Sequence, residues 1–305
     1  MADQLTLKNT VLVKSGGLPT AAEVVTTDGL VFCNPTVKSG DYKDIGNGMM
    51  GATKTYIDNN WVSADFEIPV QLKKASALGI APKIADLFKV CGLAETITAS
   101  TKVEYKPGSP DLAGTGQVKV YTDGYVRALT GVAGNMKISG KVGEPLSASF
   151  SIKGFLDSAT PTVEANPVVT LDTGVAPIVS KVTVLTVGGS SIQADSFDFD
   201  LGNSIQEVYG IGIAKYYMQD LDPTLSVTAI KVKGTDDAAW PDFAAGTIRA
   251  IIIQVGLAGS MIEISVPFAI LKTVSEADSN GMVKLSRTFR AQASVGNDNF
   301  TITYK

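Results

Sequence analysis

The sequence predicts an all-β protein with one short helix flanking the sheet in each half. Three observations carry this. Apolar and polar residues alternate with a period of two, most clearly over Gln117–Leu156, where Val118 and Val120, Met136 and Ile138, and Leu146, Ala148, Phe150 and Ile152 share strand faces. Glycine is abundant, 30 of 305 residues, and it falls between the alternating runs as turns require. Only Pro82–Gly92 and Thr235–Phe243 interrupt the alternation with helical character.

Thr10–Lys14 reads as the first strand, before a Gly-Gly-Leu-Pro turn, and Val31–Val37 as the second. Residues 38–60 read as a long glycine-rich loop carrying Met49 and Met50, with Tyr42, Tyr56 and Trp61 as aromatics outside the strand pattern. Long loops of this kind are commonly functional, and soft methionines suit a surface that packs onto a partner. Over Trp61–Leu72, Ala64, Phe66, Ile68 and Val70 oppose Asp65 and Glu67. Ile84, Leu87, Phe88 and Cys91 then recur at helical spacing, with Pro82 in the first turn and Gly92 as the C-terminal cap. Gln117–Leu156 follows as an antiparallel meander turning at Asp123-Gly124, Gly131, Gly134 and Gly143.

Residues 158–180 are proline-rich and barely alternate, which places a linker between a first domain, 1–157, and a second, 181–305. The second half repeats the first in outline. Phe197, Phe199 and Leu201 alternate with Asp198 and Asp200, and a loop runs from Gly202 to Lys215. Leu225–Val232 is a strand comparable to Ala64–Val70, and Thr235–Phe243 stands where the first half has its helix. Arg249–Val255, Met261–Phe268 and Val283–Gln292 are strands, and Phe300, Ile302 and Tyr304 close the chain as an edge strand. The shared order reads as an old tandem duplication.

Composition narrows the chemistry. Histidine is absent, so the commonest general base and metal ligand are both missing. Cys33 and Cys91 make no metal-binding pair, and Cys91 falls on the apolar side of its helix as a buried thiol; reduced cysteines and assembly in a cytoplasm are expected. Gly51–Thr55 lacks the upstream glycine of a phosphate loop, and Gly210-Ile-Gly212 is too short for a dinucleotide turn. Asp195, Asp198, Asp200, Asp220 and Asp222 lack calcium-loop spacing and read as a solvated acidic face. No serine–lysine nucleophile motif stands near Lys141 or Lys153. No catalytic residue, cofactor or metal site is predicted. The N-terminus carries no secretory pattern, and Ala250–Leu271 is too interrupted for a membrane span. Residues 1–157 hold 16 basic and 15 acidic side chains and residues 158–305 hold 10 and 15, so neither half is a basic nucleic-acid clamp.

The order Asp123-Gly124, then Leu129, Gly131 and Gly134, then Ile138, Gly143, Phe150 and Gly154 resembles the major tail tube proteins of long-tailed, siphovirus-like bacteriophages. The resemblance covers about the N-terminal half. It implies a β-sandwich or half-barrel of tail-tube type and a structural virion protein that polymerises into stacked rings, the conduit for DNA ejection. It implies that the loop 38–60, with Tyr42, Met49, Met50, Tyr56 and Trp61, docks ring onto ring or subunit onto subunit. It gives the acidic wet face, with Asp65, Glu67, Asp198 and Asp200, a use as a lumen wall that DNA passes without specific binding. Two tube-like domains per chain imply homotrimeric, pseudo-hexameric rings; the alternative is a homohexamer with the second half decorating the exterior. The other implied partners are a tape-measure protein, a tail-tip complex and a tail terminator, with no membrane involved. A tube of a type VI secretion or pyocin-like system is the near alternative. A receptor-binding or decoration β-protein is the alternative from another class.

Overall fold

A computed structural model of the chain describes residues 8–43, 53–108, 114–156, 158–170, 172, 174–180, 183–232, 238–257 and 259–305. The first half contains β1 (Asn9–Ser15), β2 (Val24–Val25), β3 (Pro35–Lys43), β4 (Thr53–Gln71), α1 (Ala85–Val90), β5 (Leu93–Thr98), β6 (Lys102–Pro107), β7 (Gly116–Thr122), β8 (Tyr125–Lys141) and β9 (Ser147–Leu156). After β10 (Thr162–Val163) come β11 (Val184–Val187), β12 (Ser190–Ser191), β13 (Ala194–Asp200), β14 (Asn203–Gly210), β15 (Ile213–Leu221) and β16 (Thr224–Ile230). The chain continues with α2 (Ala239–Ala245), β17 (Ile248–Val255), β18 (Ile262–Ser279), β19 (Met282–Ala291) and β20 (Thr301–Tyr304). The protein is all-β with two short helices among the described residues.

Strand order follows from alternation and short turns. In the first half β2, β1, β7, β8, β9, β4 and β3 lie side by side, all antiparallel. In the second half β12, β11, β17, β18, β19, β16 and β13 lie side by side in a matching order. β8 and β18 are the long strands of the two sets, 17 and 18 residues, and each pairs with different neighbours along its length. The tight turns fall where positive φ is cheap: Asp123-Gly124 between β7 and β8, with Gly124 at φ 83°, and Asn280-Gly281 between β18 and β19, with Gly281 at φ 79°.

The two sets are joined across the expected 158–180 boundary. β13 pairs with the distal part of β8, Phe199 opposite Ile138 and Asp198 opposite Ser139. β20 is the second join, and it corrects the expectation of an edge strand: it lies between β18 and β6, hydrogen-bonded on both sides. Phe300, Ile302, Thr303 and Tyr304 are all buried there. Alternation alone reads the same for an edge strand and a central one, because a strand's second neighbour leaves no mark on its period of two.

α1 forms as its spacing predicts. Ala85, Leu87, Phe88 and Val90 face the sheet, Asp86 and Lys89 face outward, and Gly92 follows the last turn at φ 81°. Phe88 is the hub of an aromatic cluster, with ring centroids 4.6 Å from Tyr105, 5.8 Å from Phe150 and 6.2 Å from Tyr304. That cluster unites α1, β6, β9 and β20, so the aromatic core is also a join between the halves. α2 is different. Only Ala239 is buried, Trp240 and Phe243 are exposed, and the helix is fixed by a bidentate Arg249–Asp242 pair at 2.7 and 2.9 Å.

Three further expectations are corrected. The loop expected at 38–60 is, over the described residues 38–43 and 53–60, an extension of β3 and β4 into a paired arm. The loop expected from Gly202 to Lys215 belongs to a second paired arm, β14–β15. Both runs hide β-forming residues among glycines and charges, so their pairing is settled by register rather than by composition. Tyr121, which alternation sets on the wet side opposite Val118 and Val120, is buried with Leu12, Val24 and Val126 beneath Val169 of the linker, and its hydroxyl donates to Glu164 at 2.6 Å.

Candidate assembly surfaces

One face of the sheet is polar from β4 to β18. Cross-strand register makes a continuous row across it: Gln71, Ser147, Ser139, Asp198, Ser226, Thr288 and Thr273 stand opposite one another in turn. Two rows along on the same face run Glu67, Ser151 and Asn135. These side chains bond along the face. Ser139 donates to Asp198 at 2.6 Å, Ser149 to Glu67 at 3.4 Å, and Ser226 lies 3.1 Å from Thr288. The opposite face carries Phe66, Ile68, Phe150, Met136, Ile138, Phe197 and Phe199 in the core. A wall with hydroxyls on one side and a packed core on the other is what strict alternation builds.

Asp65, Glu67, Asp198 and Asp200 all lie on this polar face, the first two in β4 and the last two in β13. Two have a cation beside them, and two accept hydrogen bonds from neutral neighbours, Glu67 from the Ser149 hydroxyl. Asp65 is 3.6 Å from Lys153, Asp198 is 4.0 Å from Lys137, and Asp200 accepts from the Asn135 amide at 3.0 Å. The face is therefore hydroxyl-rich with interleaved ion pairs rather than a bare acidic wall. The remaining acids of the predicted cluster also have partners other than a metal: Asp195 pairs with Lys284, Asp222 with Arg290, and Asp220 accepts from the Leu221 N–H.

The two arms stand where β3–β4 and β13–β16 would otherwise end. On the first arm Tyr56 lies opposite Gly40, and a Cβ at Gly40 would meet the Tyr56 hydroxyl at 2.5 Å, so this glycine makes room for the ring. Tyr56 and Ile57 are both exposed. Tyr42 and Trp61 lie in the paired strands β3 and β4. Met49 and Met50 lie outside the described residues. The structure thus brings Tyr42, Tyr56 and Trp61 onto one strand pair, β3 and β4, and β4 also carries Asp65 and Glu67, while Asp198 and Asp200 lie in β13.

The second arm folds back over the first half. Asn203, just after β13, donates to the carbonyls of Cys91 and Gly134, both at 2.8 Å, and its N–H donates to Asn135. Tyr216 stacks on Phe155 with centroids 4.6 Å apart and planes at 20°, beside buried Ala133. Burial there, and then the Glu207 charge, push the Tyr216 hydroxyl above its ordinary range. Met218 touches the backbone at Gly92. Lys38 ties the two arms, 2.9 Å from Glu207 and over the Tyr209 ring at 3.7 Å. Sequence reasoning missed Asn203 and Tyr216 as junction residues. The only local signal was polar Asn203 directly after Gly202, at a strand break.

Both cysteines are buried free thiols; burial raises Cys33 to about 11 and Cys91 further still. Among the described residues no helix is long and apolar enough to cross a membrane, and no three acidic or thiol side chains cluster for a metal.

No curated protein matches the chain. A family model described as phage tail tube protein matches residues 41–291, a range that takes in the second arm, most of the first, both helices, the β13–β8 junction and the polar face from β4 to β18. The chain belongs to the phage tail tube family and is a structural, β-rich component of the phage tail.

Proposed function

We propose that this tail tube chain polymerises into stacked rings of three copies, and that the stack is the conduit through which DNA leaves the virion. In this reading each copy supplies two tube-like units, 1–157 and 181–305, joined by 158–180, from an old duplication. The matching order of strands in the two halves supports it. The single observation that carries it is the β13–β8 junction. There the two units share one hydrogen-bonded sheet and one uninterrupted polar face, which is the contact a ring needs at every position.

The polar face, with Asp65, Glu67, Asp198 and Asp200, then lines the lumen, and DNA slides past without specific binding. The β3–β4 arm, with Tyr42, Tyr56 and Trp61 and the adjoining Met49 and Met50, docks one ring onto the next. A tape-measure protein fills the lumen during assembly in the host cytoplasm, and tip and terminator proteins close the ends. Electron microscopy of the purified protein at rising concentration tests the reading. Rings or tubes with three-fold symmetry are expected. Strict six-fold symmetry overturns the three-copy ring, and monodisperse monomers at every concentration overturn the conduit.

A further inference from the structure

We propose that the outer edge of β3 in one copy pairs with the distal edge of β18 in the next, repeating between copies the β13–β8 contact present inside the chain. The inference rests on the ring reading above and adds which edges meet. β3 is the last strand of the first set as β13 is of the second, and β18 is the long strand of the second set as β8 is of the first. Inside the chain one strand of each role is satisfied by the other unit: β13 covers the distal edge of β8. The other two are open among the described residues. β3 pairs only with β4, and β18 over 273–279 pairs only with β19.

Exposure follows the same division. In β8, where β13 covers the edge, Met136, Ile138 and Gly140 are buried. In β18 the distal residues Thr273, Ser275, Glu276, Ala277 and Asp278 are all exposed. A long strand with an unpaired edge is a template for another chain, and pairing it with the different edge of β3 makes a head-to-tail contact that can close a ring.

Side-chain faces agree as well. Thr36 stands opposite Ser63 on the polar face, and Thr273 and Ser275 join that face through Thr288 and Ser286. Pairing β3 with β18 therefore continues the polar wall from copy to copy, whereas a one-residue slip would turn it into the core. The arms match too. The β3–β4 arm continues β3 as the β14–β15 arm continues β13, and it holds Tyr56 and Ile57 exposed where the internal arm has Tyr216 stacked on Phe155.

Crosslinking decides it. Directly opposed residues in antiparallel strands have Cβ atoms about 4.5–5.5 Å apart, within reach of a disulfide. Thr36→Cys is combined in one chain with Thr273→Cys, Ser275→Cys or Ala277→Cys, with each single variant as control; native Cys33 and Cys91 are buried. The assembled protein is oxidised mildly and run on a non-reducing gel. The expected result is loss of the monomer band into products of up to three chains for at least one double variant and for no single variant. Rings that form without any such product overturn the edge assignment and leave the ring reading standing. Dimers from the Thr36→Cys variant alone overturn it in favour of a two-fold contact. Protein that never assembles overturns both.

Discussion

Gly92 shows how one residue can serve two levels of structure. It ends α1 at φ 81°, and a Cβ there would lie 2.1 Å from the Met218 methyl of the β14–β15 arm. Gly92→Ala therefore adds left-handed backbone strain of about 1–2 kcal/mol and lifts the arm. A lowered midpoint in chemical denaturation, together with faster proteolysis within 203–221, is the expected pair of results. Glu23 is a second residue with a readable role. Its carboxylate accepts from the Thr20 hydroxyl and N–H, which hold its pKa at about 2 against an ordinary 4.5. A depressed carboxyl gives stability that is present above pH 4.5 and lost as pH falls toward 2. Replacing it as Glu23→Gln should flatten the pH dependence of unfolding in that window, read by thermal melts at stepped pH. The thiols give a third check: a water-soluble disulfide reagent at pH 8 should find neither Cys33 nor Cys91 until denaturant is added, because burial suppresses both thiolates.

At the scale of elements, α1 and the meander 117–156 were legible in the sequence and the arms were not. Ile84, Leu87, Phe88 and Cys91 repeat at helical spacing, and the strands around Val118, Ile138 and Phe150 alternate, so local pattern sufficed for them; the turns expected at Gly131 and Gly134 are not formed, because both residues lie inside the continuous β8, Gly131 where its register with β9 shifts and Gly134 paired with Ile152. The arms depend on register: Gly40 under Tyr56, and Tyr216 on Phe155, are contacts between residues 16 and 61 positions apart. No local window contains them. β20 was legible as a strand but not as a strand with two neighbours. The elements also differ in what they hold. Phe88→Ala removes the hub of the Tyr105, Phe150 and Tyr304 cluster and should cost about 3–5 kcal/mol, measured by denaturant unfolding.

For the whole molecule, the faces were legible but their union was not. Alternation placed Asp65, Glu67, Asp198 and Asp200 on wet faces; only the β13–β8 register shows that these faces are one surface. The same register, with β20, joins residues 1–157 and 181–305 through two strand pairings. Calorimetry should show one cooperative transition, and a chain ending at residue 157 should fail to fold, since it lacks the β20 that packs Tyr304 against Phe88.

The ion pairs on the polar face have a consequence for traffic. Asp65 already has Lys153 beside it, and Asp198 has Lys137. In the proposed lumen a polyanion meets lysines already paired with carboxylates rather than a basic groove. Its drag should then depend little on ionic strength, unlike protein–DNA contacts whose strength is set by released salt.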